Sequence, residues 1–517
     1  MSESALPALV QQMLDPVFYP HAVQEPIQLL QTHISYVLLT GEFAYKVKKP
    51  TDFGFLDFTT LDKRQFFIQE ELRLNQRGAA ELYLEALPIS QDELGSYQLS
   101  GAGEPVEYAL KMRQFPQKAL LPQVFDRGEL TPDLVVDLAK EIARFHSGLT
   151  TSDRINSFGS VPGVRAAFDE NYEQTAGFIG GPQTQAQFDE TKALTDAFFA
   201  EKADLLAQRV EGGFVRECHG DLHLGNICYW NERFYLFDCI EFNEPFRFVD
   251  VMYDIAYIVM DLQLRQRPDL SALFLNTYIE HTGDYEGLQV LPLYVSRQSY
   301  VRAKVTSFML GDPAISAEKK AEVTATAAKY YKLALKCLQP RAGSLYVMCG
   351  LSGSGKSTVA RALAQQLDAI HIRSDAVRKH LAGIDLYASG SSGEFGSGIY
   401  TPEMTQKTYD RLQELGMLLA SLGYAVILDA KYDKQAVRQA IADAAKDKQL
   451  PLTFISCEVP LETVRQWLRD RTGDIADATA DLLDAQVQAF EPLTDSERAM
   501  TSVVRTDGDL AAQLASF

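Results

Sequence analysis

Six cysteines are few for a chain of 517 residues, and no two stand in Cys-x-x-Cys spacing. A disulfide framework is therefore excluded as the basis of the fold, and free thiols in a reducing cytosol are expected. Cys218, Cys228 and Cys239 lie near His219 and His223, but their spacing fits no common zinc pattern. No apolar run approaches the ~20 residues that a bilayer span requires. The opening MSESALPALVQQML lacks a basic stretch before an apolar core, so no signal peptide is expected and the chain reads as cytoplasmic. Basic residues are scarce: 49 Lys and Arg stand against 69 Asp and Glu, for a net charge of −20. That balance makes a nucleic-acid or anionic-membrane partner unlikely. No repeat is found at a period of roughly 20–50 residues. What remains, 46% hydrophobic and 23% charged residues, is ordinary globular composition, at a length that suits roughly two to four domains.

Residues 34–39 and 43–48 are β-rich runs around Thr40-Gly41-Glu42, the pattern of a hairpin. Residues 61–77 carry apolar residues at helical spacing. Residues 107–112 read as a strand, 133–147 as a helix, and 213–217 and 234–240 as short strands around a polar loop. From about 247 to 308 the pattern is helical, and 316–338 forms one long helix. Gln339-Pro340-Arg341-Ala342-Gly343 breaks the pattern and places a domain boundary there. Beyond it, strand runs at 344–349, 369–373, 424–429 and 452–457 alternate with helical stretches, as in a parallel, doubly wound sheet. Residues 389–398 are too rich in Gly and Ser to order themselves and read as a mobile loop.

Residues 350–358 read Gly-Leu-Ser-Gly-Ser-Gly-Lys-Ser-Thr, a G-x-x-x-x-G-K-[ST] loop between a strand and a helix. Gly350, Ser352, Gly353, Ser354, Gly355, Lys356, Ser357 and Thr358 are the candidate cradle for ATP phosphates. Glycines let backbone N–H groups wrap the phosphates, and the helix N-terminus adds partial positive charge. Lys356 is expected at the β/γ-phosphates and Ser357 at Mg²⁺. Asp429 closes an apolar strand at the Walker B position, with capping of the next helix as the alternative. Arg373, Asp375 and Arg378 fall at the carboxyl end of the second strand, where ligands bind in open α/β sheets. Asp375 is the candidate acceptor base and the two arginines are candidate substrate-binding groups, against a capped helix start with surface ion pairs. Arg465, Arg469 and Arg471 fall where a lid would close, or else form a solvated helix face. This set resembles the small P-loop kinases over about 344–517: gluconate kinase, chloramphenicol phosphotransferase, polynucleotide kinase and zeta-toxin-like enzymes. The resemblance implies phosphorylation of a hydroxyl, with Asp375 as base and Arg469 or Arg471 as the lid arginine.

A second motif lies upstream. Residues 219–226 read His-Gly-Asp-Leu-His-Leu-Gly-Asn, with Asp221 and Asn226 at the spacing of the protein-kinase catalytic loop. An Asp there handles the acceptor's proton, and an Asn carbonyl oxygen ligates Mg²⁺. Asp238, ending the run FYLFD, is the expected second metal carboxylate. HGDLHxxN resembles the aminoglycoside phosphotransferase and choline kinase family, a branch of the protein-kinase-like fold, over roughly 30–310. The resemblance extends to Asp250 and Asp254 as an acidic pair anchoring a helix, and to Lys46 as the phosphate-contacting lysine. Lys48 on the same strand face is its rival; Glu71 is expected as the lysine's partner, with Glu70 the alternative. His219 is expected to support the loop, and His223 to support it or touch substrate. No G-x-G-x-x-G loop is present, so the phosphate cover is unassigned, and Asp52-Phe53-Gly54 precedes the catalytic loop and is discounted.

The expected architecture is an α+β protein-kinase-like bilobal domain followed by an α/β P-loop kinase domain. The first spans 1–340, with a small lobe at about 30–112 and a helical large lobe at about 120–338; the second spans 341–517. The expected activity is bifunctional ATP- and Mg²⁺-dependent phosphorylation of hydroxyl-bearing small molecules. The alternatives are one catalytic and one regulatory nucleotide-binding domain, or a nucleic-acid end kinase in the P-loop half. Acceptor identity and oligomeric state are not specified.

Overall fold

The computed structural model describes residues 6–388, 398–470, 474–515 and 517. The Gly/Ser-rich loop expected at 389–398, all but its last residue, and Arg471 lie outside the described residues. The chain divides into two compact units that do not follow a single cut near 340. The first takes the chain up to Thr131, Arg144–Asp261 and Leu293–Cys337; the second takes Pro132–Ala143, Leu262–Pro292 and Leu338–Phe517.

The first unit begins with six antiparallel strands, β1 (Gln28–Gln31), β2 (Ser35–Leu39), β3 (Phe43–Lys48), β4 (Tyr83–Gln91), β5 (Tyr97–Leu99) and β6 (Pro105–Arg113), in the order β1-β2-β3-β6-β4-β5. The hairpin expected at 34–48 is β2–β3, with Ser35 opposite Lys48 and Leu39 opposite Ala44. Side chains alternate between the two faces of a strand. Tyr45 and Val47 thus enter a core with Met13, Leu38 and Ile89, and Lys46 and Lys48 share the opposite face. That face meets helix α1 (Leu61–Ala79), which starts on a Thr60 cap and buries Arg64, Ile68, Glu71, Leu74 and Asn75 along one stripe. A buried charged residue in such a stripe needs a partner; Arg64 finds Glu107 of β6 at 2.8 Å.

Short pairs follow: β7 (Val215–Glu217) with β10 (Phe248–Asp250), and β8 (Ile227–Trp230) with β9 (Arg233–Leu236). The strand expected at 234–240 stops at Leu236, because Asp238 adopts a left-handed conformation (φ 63°) that no strand can contain. The stretch expected to be helical from 247 begins as β10, and then forms α2 (Val251–Leu264), α3 (Pro268–Thr282) and α4 (Leu291–Phe308).

The second unit holds a five-stranded, all-parallel sheet in the order β12-β13-β11-β14-β15: β11 (Ser344–Cys349), β12 (Ile370–Arg373), β13 (Ala425–Asp429), β14 (Leu452–Glu458) and β15 (Thr501–Arg505). Met348, Ile427, Ile455 and Val504 meet Val359 and Leu363 of α5 (Lys356–Leu367) in its core. At the β12 edge α3 closes the unit. The Asn276 amide donates to Ala369 O and accepts from His371 N, both at 2.8 Å, as a neighbouring strand would. Glu280 approaches Arg373 at 3.7 Å, the His380 ring meets Glu280 O at 2.8 Å, and Tyr424 donates to Leu288 O at 2.9 Å.

Asn276→Ala leaves one buried carbonyl and one buried N–H without partners. It is expected to destabilise the second unit by about 1–3 kcal/mol, with Asn276→Asp intermediate, in thermal unfolding of the intact chain.

Candidate functional sites

In the first unit Lys46 Nζ lies 2.6 Å from Glu71 Oε1 and 3.0 Å from Asp238 Oδ1. Lys48 is also engaged: Nζ meets Glu71 Oε2 at 2.7 Å and pairs with Glu241. Glu71 and Lys48 are buried completely or nearly so. Burial alone would raise Glu71, but the two lysines hold its carboxyl down at about 2. Burial alone would lower Lys46; Asp238, Glu71 and Glu241 instead hold it well above the usual lysine range. Burial raises Glu241, against the pull of Lys48. Glu70, the alternative partner, pairs outward with Arg73 at 2.8 Å.

Loop 219–226 is set by backbone. Asp254, from the first turn of α2, accepts from His219 N and Gly220 N, both at 2.8 Å. Gly220 has a φ of 88°, and a Cβ there would lie 2.7 Å from Phe246 O, so only glycine fits. The His219 ring meets Phe237 O at 2.9 Å, and Asp261 accepts from Leu224 N at 3.0 Å. His146 Nε2 lies 3.3 Å from Asp254 Oδ2, a support that the sequence signals only as a helix histidine. Asp250 pairs with Arg209 and accepts from Met252 N at 2.8 Å, at the start of α2. Asp221 is thereby presented with its carboxylate partly exposed, His223 Nε2 at 3.4 Å, and Asn226 Nδ2 donating to its backbone O at 2.9 Å and its Oδ2 at 3.2 Å. Burial raises Asp221, but the hydrogen bond and charge of His223 and the charges of His219 and Arg302 bring it below the usual range. Asn226 spends its amide nitrogen on Asp221, which leaves its carbonyl oxygen available. That oxygen and the Asp238 carboxylate are donors of the kind that a hard divalent cation takes. Asp52-Phe53-Gly54 is an exposed turn in which Asp52 accepts from Gly54 N at 2.8 Å.

In the second unit Gly350, Gly353 and Gly355 have positive φ of 139°, 78° and 83°, and a Cβ on Gly353 would lie 2.6 Å from Leu468. The side chain of Ser354 is buried in this loop and its Oγ has no hydrogen-bond partner, as expected of a loop shaped around an anion. Lys356 folds back onto Gly350 O at 3.0 Å and Leu351 O at 2.6 Å, and burial lowers its pKa. Ser357 and Thr358 follow in the first turn of α5. Asp429 ends β13, and its Oδ2 meets His371 Nε2 at 3.0 Å. Burial alone would raise Asp429; His371, Arg373 and Lys356 hold it at about 2.

Asp375 sits in the first turn of α6 (Ser374–Ala382). Burial raises its pKa, against Arg373 and Arg378, and Tyr400 OH donates to it at 3.3 Å and to Asp477 at 2.9 Å. Arg373 is engaged by Asp474 at 2.7 Å. Arg378 bonds Ile399 O and Thr405 Oγ1 at 3.3 and 3.2 Å and stacks on Tyr400, while its buried Nε has no partner. Arg469, near the end of α7 (Leu461–Asp470), lines a polar recess of about 450 Å³ with Arg465, Leu468, Thr479 and Asp484; Arg465 pairs with Asp484. His371, Tyr400, Asp474 and Asp477 carry no motif, and sequence reasoning missed them.

The fold and these clusters define a tandem of two phosphotransferase-type domains, families that support ATP-dependent kinase activity. Residues 59–291 match the model of the phosphotransferase enzyme family, and residues 345–493 match that of an AAA domain. The N-terminal part thus carries a domain matching the phosphotransferase enzyme family, and the C-terminal part carries a P-loop kinase domain. The chain is similar to an uncharacterized protein of Mycobacterium tuberculosis, with 28% identity over 461 residues covering 89% of each chain. It is similar also to a shikimate kinase of Vibrio cholerae, at 31% identity over 147 residues, or 26% of this chain and 82% of the relative. Among solved structures, an amicoumacin kinase in complex with AMP-PNP, Ca²⁺ and Ami aligns at 14% identity and a TM-score of 0.38, covering 63% of this chain and 92% of that one. No helix among the described residues is long and apolar enough to cross a membrane.

Glu71→Ala leaves Lys46 with Asp238 alone and Lys48 with Glu241 alone, unbalances the buried cluster by one negative charge, and is expected to destabilise the first unit by about 3 kcal/mol in denaturant unfolding of the intact chain. Glu70→Ala is expected to remove less than about 1 kcal/mol, because its partner Arg73 stays solvated.

Proposed function

We propose that both units are ATP-dependent kinases, each transferring the γ-phosphoryl group to a hydroxyl of a small molecule. What supports the reading is that each unit carries, on separate elements, a lysine suited to phosphate, oxygen donors suited to a divalent cation and a further carboxylate. In the first unit these are Lys46, Asn226 with Asp238, and Asp221. In the second they are Lys356, Ser357 with Asp429, and Asp375.

In the first unit Lys46 exchanges part of its contact with Asp238 for the ATP phosphates, while Glu71 keeps it oriented. Asp221 takes the acceptor's proton as the hydroxyl oxygen attacks the γ-phosphorus and the bond to the β-phosphate oxygen breaks. Mg²⁺, when held by Asn226 and Asp238, supplies charge neutralisation of the phosphates. In the second unit Lys356 leaves the carbonyls of Gly350 and Leu351 for the β/γ-phosphates, beside the P-loop N–H groups and the hydroxyls of Ser354 and Thr358. Asp375, its pKa raised by burial, suits a base that must accept a proton. Tyr400 must yield its hydrogen bond for an acceptor hydroxyl to reach it. Arg378 can meet an acceptor with its free Nε, whereas Arg373 is held by Asp474. Arg469 would close over the phosphates. The similarity to a shikimate kinase supports a small-molecule acceptor for this unit.

The test is ATP-dependent phosphorylation of a metabolite pool by the intact chain. Asp221→Asn and Lys356→Ala are each expected to remove one set of products by at least about a hundredfold and to spare the other; the double variant removes both. Loss of all products in one single variant would favour one catalytic and one regulatory unit.

A further inference from the structure

Lys48 and Glu241 have no place in the chemistry above, yet both are buried beside the first site. Two buried ions are costly unless each is paired and fully hydrogen-bonded, so a pair retained there has geometric consequences. Glu241 lies three residues beyond Asp238, on the segment that follows β9. Every residue of that segment is tied down. Asp238 N donates to Tyr83 OH at 3.1 Å, Cys239 N to Asn75 Oδ1 at 2.9 Å, and Ile240 N to His219 O at 3.0 Å. Glu241 reaches across to Lys48, and its backbone O accepts from Arg247 at 3.2 Å.

The segment needs such fastening. Asp238 holds a φ of 63°, a conformation that costs a non-glycine residue free energy and persists only where the surroundings impose it. Three of the ties are neutral hydrogen bonds. Asp238 itself meets Lys46 of β3 through a half-exposed carboxylate, and the pair between Lys48 and Glu241 is a second ionic tie to β3, this one buried. It also reaches α1, because Lys48 Nζ contacts the second oxygen of the Glu71 carboxylate, whose first oxygen serves Lys46. One carboxylate is thus shared by two lysines, and the order Lys46, Glu71, Lys48, Glu241 links the phosphate-side lysine to the metal-side segment through side chains alone.

We propose that Lys48 and Glu241 are positioning residues for the metal carboxylate: they hold Asp238 in its left-handed conformation facing Lys46, and so set the divalent-cation affinity of the first site. Lys48 itself contacts neither phosphate nor metal. The inference rests on the phosphotransferase reading of this unit. Lys46 and Glu71 keep one another when Lys48 is lost, so nucleotide binding without metal should survive its removal.

The experiment uses the intact chain with Lys356→Ala to silence the P-loop, and reads binding of a fluorescent ATP analogue as Mg²⁺ is titrated, with a parallel arm in EDTA. Supporting groups behind metal ligands commonly change affinity by about 10–100-fold, so Lys48→Met is expected to raise the half-saturating Mg²⁺ concentration by about tenfold or more. Binding in EDTA should change by less than about twofold, and Lys48→Arg should restore the Mg²⁺ response to within about threefold. Glu241→Gln keeps an acceptor for Lys48 and is the variant to use if Lys48→Met does not fold; it should raise the Mg²⁺ requirement at least about threefold. An unchanged Mg²⁺ response in Glu241→Gln, or equal losses with and without Mg²⁺ in folded Lys48→Met, overturns the positioning role. If the parent binds no nucleotide that depends on Lys46, the phosphotransferase reading falls as well.

Discussion

A carboxylate taken out of water must be met by positive charge or by N–H groups, and both sites are built around that requirement. In the first unit Asp254 is fully buried and is met by two consecutive backbone N–H groups, at His219 and Gly220, with His146 behind it. These contacts dictate the path of the chain just before Asp221. The loop therefore owes its shape less to its own side chains than to one acid on a neighbouring helix. In the second unit buried Asp429 is met by the His371 ring, while the Asn276 side chain takes the His371 backbone N–H. Each buried acid of the pair is steadied by a histidine, once behind the loop that carries the proposed base Asp221 and once at Asp429, the proposed metal-side carboxylate itself.

The two lysines proposed to meet phosphate solve the same problem in opposite ways. Lys46 sits among carboxylates, which hold its proton tightly and keep its ammonium oriented before any nucleotide arrives. Lys356 rests on two backbone carbonyls, and burial weakens its hold on the proton. A carbonyl dipole is a weaker partner than an ion, so Lys356 can exchange these contacts for a phosphate at little loss. Lys46 must keep Glu71 while releasing Asp238. That asymmetry makes the ties on Asp238 matter in the first unit and has no counterpart in the second.

What the sequence made legible was local. The loops 219–226 and 350–358 put their functional groups within eight or nine consecutive residues, so their spelling carries the geometry. Lys46 and Glu71 were reachable because strand and helix periods place them on facing surfaces. The end of β9 was misjudged by continuing an apolar run through a residue whose φ is positive, a property that side-chain hydropathy does not report. Tyr400 reaches Asp375 from 25 positions away in the chain, Asp474 reaches Arg373 from 101 and Asp477 reaches Tyr400 from 77, and no periodicity encodes such distances. The role of Lys48 was hidden for the same reason: its two partners are 23 and 193 residues away.

The position of α3 shows how family likeness and packing can diverge. Its sequence falls within the stretch that matches the phosphotransferase family, yet its contacts place it in the P-loop unit. The reason is at the edge of a parallel sheet. The edge strand β12 exposes a row of N–H and C=O groups on its free side, and such an edge must be covered. Asn276 covers it with one side chain that donates and accepts at once, and Glu280 adds charge beside Arg373, next to the residues proposed to take the acceptor. The second site is thus completed by a helix that precedes its own first strand by more than sixty residues, Thr282 to Ser344. A P-loop domain cut at residue 341 would keep every recognisable motif and lose the cover of the strand that delivers His371 and Arg373.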